Sequence, residues 1–220
     1  MGSELCFGKR ACDMRAGELA RCGHVQVLRI KLAELAAEWE PGGFPKEECS
    51  SDDADEAIKR GFLDVVRELL AHGVRCGHLG GNYAAEYGHL EVLQFLRANK
   101  IHCFPNAADL AARNGHLHII QDIRAHGIHC TPWGGANDAA EHGHLHVVRD
   151  LLAHGIPCTS KGADGAAKNG NLAMIQELRA HGIHCSSRGA DEAAKRGHLQ
   201  VVADLETHGT HCTLRGANWA

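Results

Sequence analysis

Seven cysteines recur through the chain at one period. Cys49, Cys76, Cys103, Cys130, Cys158, Cys185 and Cys212 are separated by 27, 27, 27, 28, 27 and 27 residues. Each closes a related stretch, and two of these stretches are identical: Ala125-His126-Gly127-Ile128-His129-Cys130 and Ala180-His181-Gly182-Ile183-His184-Cys185. A fixed period in this range marks a solenoid, in which each repeat buries its apolar face only against its neighbours. The 220 residues are therefore read as one elongated array.

Within each period the signals are helical. Gly61, Gly88, Gly115, Gly143, Gly170 and Gly197 each divide two short stretches. The first carries paired alanines (Ala84-Ala85, Ala111-Ala112, Ala139-Ala140, Ala166-Ala167, Ala193-Ala194). Alanine has the highest helix propensity and lets helices approach closely. An acid or amide at Asp53, Asn106, Asn137, Asp164 or Asp191 stands near where an N-cap acceptor is useful. The second stretch places apolar residues at helical spacing, as in Leu90, Val92, Leu93 and Leu96 or Leu199, Val201, Val202 and Leu205. It ends in His72-Gly73, His126-Gly127, His154-Gly155, His181-Gly182 or His208-Gly209, where glycine supplies a left-handed cap and histidine suits the helix C-terminus. Each unit is predicted to be a helix-turn-helix, and the fold all-α.

The units divide the chain into three parts. Residues 1–15 form an N-terminal segment without a period. A divergent first repeat fills 16–50: its opening, Ala16 to Val25, is similar to later repeats, and its second helix runs through Ile30 to Trp39. Pro41-Gly42-Gly43 stops that helix, and Pro41 to Ser51 form an insertion loop. The regular array fills 51–220 and ends in a partial repeat opened by Cys212. A solenoid is normally closed by a polar capping repeat. The open C-terminal flank implies either a truncated chain or self-association through that end.

The cysteines and histidines invite a metal or redox reading, which their geometry opposes. Stacked helices lie about 8–10 Å apart, whereas a disulfide needs Cα atoms within about 4.4–6.8 Å. Neighbouring ladder cysteines are therefore expected to be reduced and buried, which points to an intracellular setting. Cys6, Cys12 and Cys22 lie outside the ladder, and their state is left open. Adjacent pairs such as His129-Cys130 and His184-Cys185 lack the spacing that converges ligands on zinc. Neither a metal nor another cofactor is expected. The sequence contains no nucleophile elbow and no phosphate-binding Gly-Lys-Ser/Thr run, and a ladder of equal dyads offers no single cleft for catalysis. An enzyme is not expected. The formal net charge of −4 opposes general affinity for nucleic acid or anionic membrane, and no apolar run approaches the roughly 18–20 residues of a membrane span.

The segment Gly189 to Val202, closing with His208-Gly209, resembles an ankyrin repeat in its Ala193-Ala194, Gly197-His198-Leu199 and Val201-Val202 positions. The likeness recurs over residues 51–220. It departs from the family in period, because an ankyrin repeat spans about 33 residues, and it lacks the family's Thr-Pro-Leu-His start. The missing residues correspond to the β-hairpin finger, leaving loops such as Cys185 to Arg188. Shortened units of this kind are similar to ankyrin-like arrays of large DNA viruses of amoebae, which would place the protein in the cytoplasm of a host cell or in a virion. The resemblance implies an ankyrin-like helix-turn-helix solenoid with short inter-repeat loops and little or no β-hairpin.

It also implies a protein–protein interaction scaffold that binds a protein partner through its concave face. In such an array the inter-repeat loops and the exposed side of the first helix line that face. Positions there that vary between repeats are Tyr83, Glu86, Tyr87, Phe104, Arg113, Trp133, Glu141, His142, Lys168, Arg188, Lys195 and Arg196. Aromatic and arginine side chains dominate binding energy, and aromatics make up only 5% of this chain. The expected partner-binding set is Tyr83, Tyr87, Phe104, Arg113, Trp133, His142, Lys168, Arg188, Lys195 and Arg196. The competing view of Tyr83 and Trp133 is that they pack between repeats. Two other functions remain as alternatives: a His/Cys-rich zinc-binding protein, and a substrate adaptor for ubiquitin ligation.

Overall fold

The computed structural model describes the backbone of residues 5–6, 9–10, 14–38 and 48–213, and the side chains of 14–35 and 48–213. They fall into two compact units, Met1–Phe104 and Pro105–Ala220.

The first unit opens with two two-residue strands, β1 (Leu5–Cys6) and β2 (Lys9–Arg10), paired antiparallel with Leu5 opposite Arg10. Three helix pairs follow. They are α1 (Ala16–Cys22) with α2 (Val25–Glu38), α3 (Ser51–Lys59) with α4 (Leu63–Ala71), and α5 (Gly80–Glu86) with α6 (Leu90–Ala98). First helices α1, α3 and α5 pack in sequence, as do second helices α2, α4 and α6. Helix α2 is long, as its sequence predicts. The insertion loop lies mostly outside the described residues, and so does the partial repeat after Thr213. Cys22 is disulfide-bonded, which the cysteine spacing left open.

The second unit repeats the plan four times: α7 (Ala107–Arg113) and α8 (Leu117–Ala125), α9 (Gly135–Glu141) and α10 (Leu145–Ala153), α11 (Ser160–Lys168) and α12 (Leu172–Ala180), α13 (Ser187–Lys195) and α14 (Leu199–Thr207). Its core has two layers. The alanine pairs of the first helices are buried, and each second helix buries three apolar residues at i, i+1 and i+4, such as Ile119, Ile120 and Ile123. Leu199 was expected on this face but is 65% exposed, because as the first residue of α14 it lies outside the buried triplet of Val201, Val202 and Leu205. Chelated ion pairs tie successive second helices. The Arg124 guanidinium grips both Asp150 oxygens at 2.6 and 3.3 Å and holds that carboxyl below its usual range. Arg179 does the same to Asp204 at 2.8 and 3.1 Å.

The histidines are structural in two ways. Those of the His-Gly pairs are the C-cap residues of their helices. Nδ1–H of His72, His126, His154, His181 and His208 donates to the carbonyl four residues back at 2.7–3.0 Å, satisfying an orphan acceptor of the last turn. The histidines after Gly88 and Gly197 reach back into the preceding repeat. Nε2–H of His89 donates to the Lys59 carbonyl at 2.8 Å, and Nε2–H of His198 to that of Lys168 at 3.1 Å.

The predicted left-handed glycines are present, and one exception stands out. Gly127 has φ +83° with open space where a Cβ would sit. At the equivalent place after α6 stands Lys100, with φ +64°. It is the one left-handed residue other than glycine among those described.

The acids and amides of the first helices do a different job from the one predicted. Only Asn106 sits at an N-cap, and its side chain makes no capping bond. Asp53 is the third residue of α3 and completes a capping box with Ser50. Asn137, Asp164 and Asp191 lie inside their helices and bind the next repeat's loop, 22 residues on. Asp164 accepts from Ser186 N–H at 2.7 Å and Oγ–H at 2.6 Å, and Asp191 from the same groups of Thr213 at 2.7 and 2.6 Å. Asp109 treats Thr131 alike at 2.9 and 2.8 Å, and Asn82 accepts from Phe104 N–H at 2.8 Å. The held residue always follows a ladder cysteine. No strand pair joins the described repeats, and one side-chain acceptor per repeat fixes each loop.

Candidate partner-binding face

The loops fixed in this way carry the most exposed of the predicted contact residues. In the second unit Asn137 is 3% exposed and fully engaged. Its Oδ1 accepts from Thr159 N–H at 2.9 Å, Thr159 Oγ–H at 3.1 Å and the Cys158 thiol at 3.3 Å. Its Nδ2–H donates to the Trp133 carbonyl at 2.7 Å. The backbone of Trp133 is thereby anchored while its side chain is 58% exposed. The loop from Thr131 to Gly134 contains the extra residue that makes this repeat 28 rather than 27 residues long.

Beyond Trp133, a groove of about 460 Å³ runs over α9, α11 and α13. Gly165 is among its lining residues. A Cβ on Gly162 would come within 2.5 Å of the Cys158 sulfur, and one on Gly165 within 2.8 Å of the Glu141 Cβ. Glycine at these helical positions thus allows α9 and α11 to lie close together. The walls are charged: Glu141, Lys161, Asp164, Lys168, Arg188 and Glu192 all line the groove, with Ser160 beside them. Lys168 Nζ pairs with Glu141 at 3.1 Å, and Asp164 is engaged by Ser186. Lys161, Arg188 and Glu192 form no ion pair among the described residues.

The predicted contact residues separate accordingly. Lys168 and Arg188 come together in the groove with Glu141. Lys195 and Arg196 are exposed at the far end of α13, outside it, and Arg113 is exposed at the end of α7. His142 is the exposed C-cap of α9, its Nδ1–H on the Asp138 carbonyl at 2.8 Å and its ring stacked on His144 at 6.5 Å. In the first unit Tyr87 is 49% exposed at the end of α5, and Phe104 is exposed with the His78 ring edge-on at 6.1 Å. Tyr83 is half-buried, with the Lys59 ammonium 4.4 Å from its ring centre. Lys161 and Glu192 were missed. Lys161 is legible once the repeats are aligned on the glycine and Asx that follow, because Lys161 and Arg188 then occupy equivalent positions in successive repeats, with Gly134 rather than Trp133 at that place in the longer one.

The ladder cysteines Cys49, Cys130, Cys158 and Cys185 are free and buried, whereas Cys76, Cys103 and Cys212 are free but partly exposed. Burial pushes the Cys130 and Cys185 thiols up to about 12 and Cys158 to about 11. These are poor nucleophiles and poor metal ligands, because both roles need the thiolate. Among the described residues no three His, Cys, Asp or Glu side chains are grouped to hold a metal ion, and no helix is long and apolar enough to cross a membrane.

Comparison with known proteins agrees with this architecture. The ankyrin repeat domain of human ASB11 is similar over 86% of this chain and 96% of its own length, with a TM-score of 0.64 at 17% sequence identity. No protein-family model and no curated protein matches the chain. The fold is that of the ankyrin repeat, built from a shorter unit.

Proposed function

We propose that the chain is a non-enzymatic scaffold that binds a protein partner through the concave face, formed by the first helices and the loops before them. The observation that carries this is Trp133: a large aromatic, 58% exposed, on a loop whose backbone is fixed from below by Asn137. Aromatic anchors held rigid before binding lose little conformational freedom on association and dominate interface energies. Arg188 and Lys168 supply a charged rim in the second unit, and Tyr87 and Phe104 are the exposed aromatics of the first.

Affinity purification from a native cell tests the proposal, comparing the wild type with a variant carrying both Tyr87→Ala and Trp133→Ala. A control, Leu199→Ala, removes an exposed apolar side chain on a second helix. The double variant should lose a protein that the control retains. Equal capture by all three proteins would refute the face assignment.

A further inference from the structure

Repeats of a solenoid contact only their neighbours, so the far side of each helix pair is shaped to receive the next one. Here the reception has a fixed form. The His89 ring packs over Gly61 and donates to the Lys59 carbonyl, His144 over Gly115 and to Arg113, and His198 over Gly170 and to Lys168. In each case the acceptor stands two residues before the glycine. Gly197 and the Lys195 carbonyl form the same pair at the end of α13, yet nothing lies within 4 Å of where a Cβ on Gly197 would stand. The flank of α14 beside it is open too. Leu199 is exposed, whereas its equivalents Leu117, Leu145 and Leu172 are only partly so. Glu206 is exposed where Arg124, Leu152 and Arg179 are partly covered. The alanines of α13 are buried, so the opening lies on the second-helix side.

The internal seams define what such a flank receives. An entering second helix has histidine as its N-cap, as α10 and α14 do, and leucine as its first residue. Its sixth residue faces the helix already in place. Asp150 meets Arg124 and Asp204 meets Arg179, and these arginines are the eighth residues of α8 and α12. The eighth residue of α14 is Glu206, which reverses the charge. An acid at the sixth position of an entering helix would be repelled there, whereas lysine or arginine would pair. We propose that the open flank of α13 and α14 docks a helix of a protein partner, N-capped by histidine, opened by leucine and carrying a cation at its sixth position. Its histidine would lie over Gly197 and donate to the Lys195 carbonyl, and its first turns would cover Leu199. A second copy of the chain is the poorer occupant, because Glu68, Asp122, Asp150, Glu177 and Asp204 place an acid at the sixth position of five of its second helices. The site is separate from the loops around Trp133, so the two binding modes are independent.

The probe is a fluorescein-labelled peptide, Gly-His-Leu-Gln-Val-Val-Ala-Lys-Leu-Gln-Ala, held helical by a lactam bridge on its solvent side because so short a helix is marginal alone. Its anisotropy is followed with the full chain. Leu199→Ala should weaken binding about tenfold, the scale of a leucine side chain taken out of water. Aspartate in place of the peptide's lysine should weaken it about 2–5-fold, the range of an exposed charge pair, and Glu206→Lys should reverse that preference. Alanine in place of the peptide's histidine should weaken it as well. Leu199 and Glu206 are both exposed, and circular dichroism checks that each variant keeps the wild-type helical signal. Absence of binding, equal binding of the lysine and aspartate peptides, or an unchanged preference in Glu206→Lys overturns the proposal. Sedimentation of the chain alone should show a monomer; a dimer that Leu199→Ala dissolves would assign the flank to a second copy and overturn it too. The variant carrying Tyr87→Ala and Trp133→Ala should bind the peptide as the wild type does, which separates failure here from failure of the concave-face reading.

Discussion

Asn137 joins the fold to the proposed binding face, and replacing it tests both at once. Asn137→Ala deletes the acceptor of Thr159 N–H and Oγ–H and the donor to the Trp133 carbonyl. A hydrogen bond contributes about 0.5–1.5 kcal/mol net, and a buried partner left unsatisfied costs about 1–3 kcal/mol. The Thr159 hydroxyl can turn to water, whereas the backbone N–H and the carbonyl cannot move. The expected loss is about 3 kcal/mol. Asn137→Asp distinguishes the two directions of bonding. A carboxylate still accepts from Thr159, as Asp109, Asp164 and Asp191 do in their own repeats, but it cannot donate to Trp133. It sets an oxygen against a carbonyl 2.7 Å away, so it should cost about 1 kcal/mol and release the Trp133 backbone. Urea denaturation followed by circular dichroism measures both costs. Tryptophan fluorescence anisotropy, with Trp39 and Trp219 replaced by Phe, reports the mobility of Trp133. An alanine variant within about 0.5 kcal/mol of wild type, or an aspartate variant as costly as alanine, would refute the account of the loop anchor.

Three further predictions follow from single observations. Lys100→Gly relieves a left-handed lysine and should stabilise the protein by about 1 kcal/mol, read as a higher urea midpoint; an unchanged or lower midpoint counts against it. At pH 8, Cys130, Cys158 and Cys185 should resist alkylation under native conditions and react on denaturation, since burial pushes their thiols to about 12, 11 and 12. Mass spectrometry that finds these three modified as quickly as Cys212 would contradict their burial. Burial also lowers the His144 pKa, assisted by the neighbouring His146 and His142 and opposed by a hydrogen bond to the Arg113 carbonyl. The unfolded chain therefore takes up this proton first, so the His144 contribution is full above about pH 6.5 and declines as pH falls toward the folded pKa. The gap in melting temperature between wild type and His144→Gln should narrow on acidification from pH 7.5 to 5, and a constant gap would exclude the effect.

The sequence by itself determined the repeat. Its 27-residue period, helix-turn glycines, alanine pairs and His-Gly endings each act within a few residues, through local backbone geometry and helical spacing. They were sufficient to give two helices per unit and the buried ladder at Cys130, Cys158 and Cys185. What acts between repeats was not legible. Asn137, Asp164 and Asp191 look like N-caps to any local rule, yet their acceptors serve backbone donors 22 residues away, which only stacking brings within 3 Å. The same holds for the face. Trp133, Lys168 and Arg188 could be named as variable positions, but which charge was already matched depended on Glu141 meeting Lys168 across two helices. Lys161 gained its place only when α11 was set beside α13. Local propensity is encoded residue by residue, whereas the pairing of one repeat's side chains with the next repeat's loop is a property of distances that the packed array alone supplies.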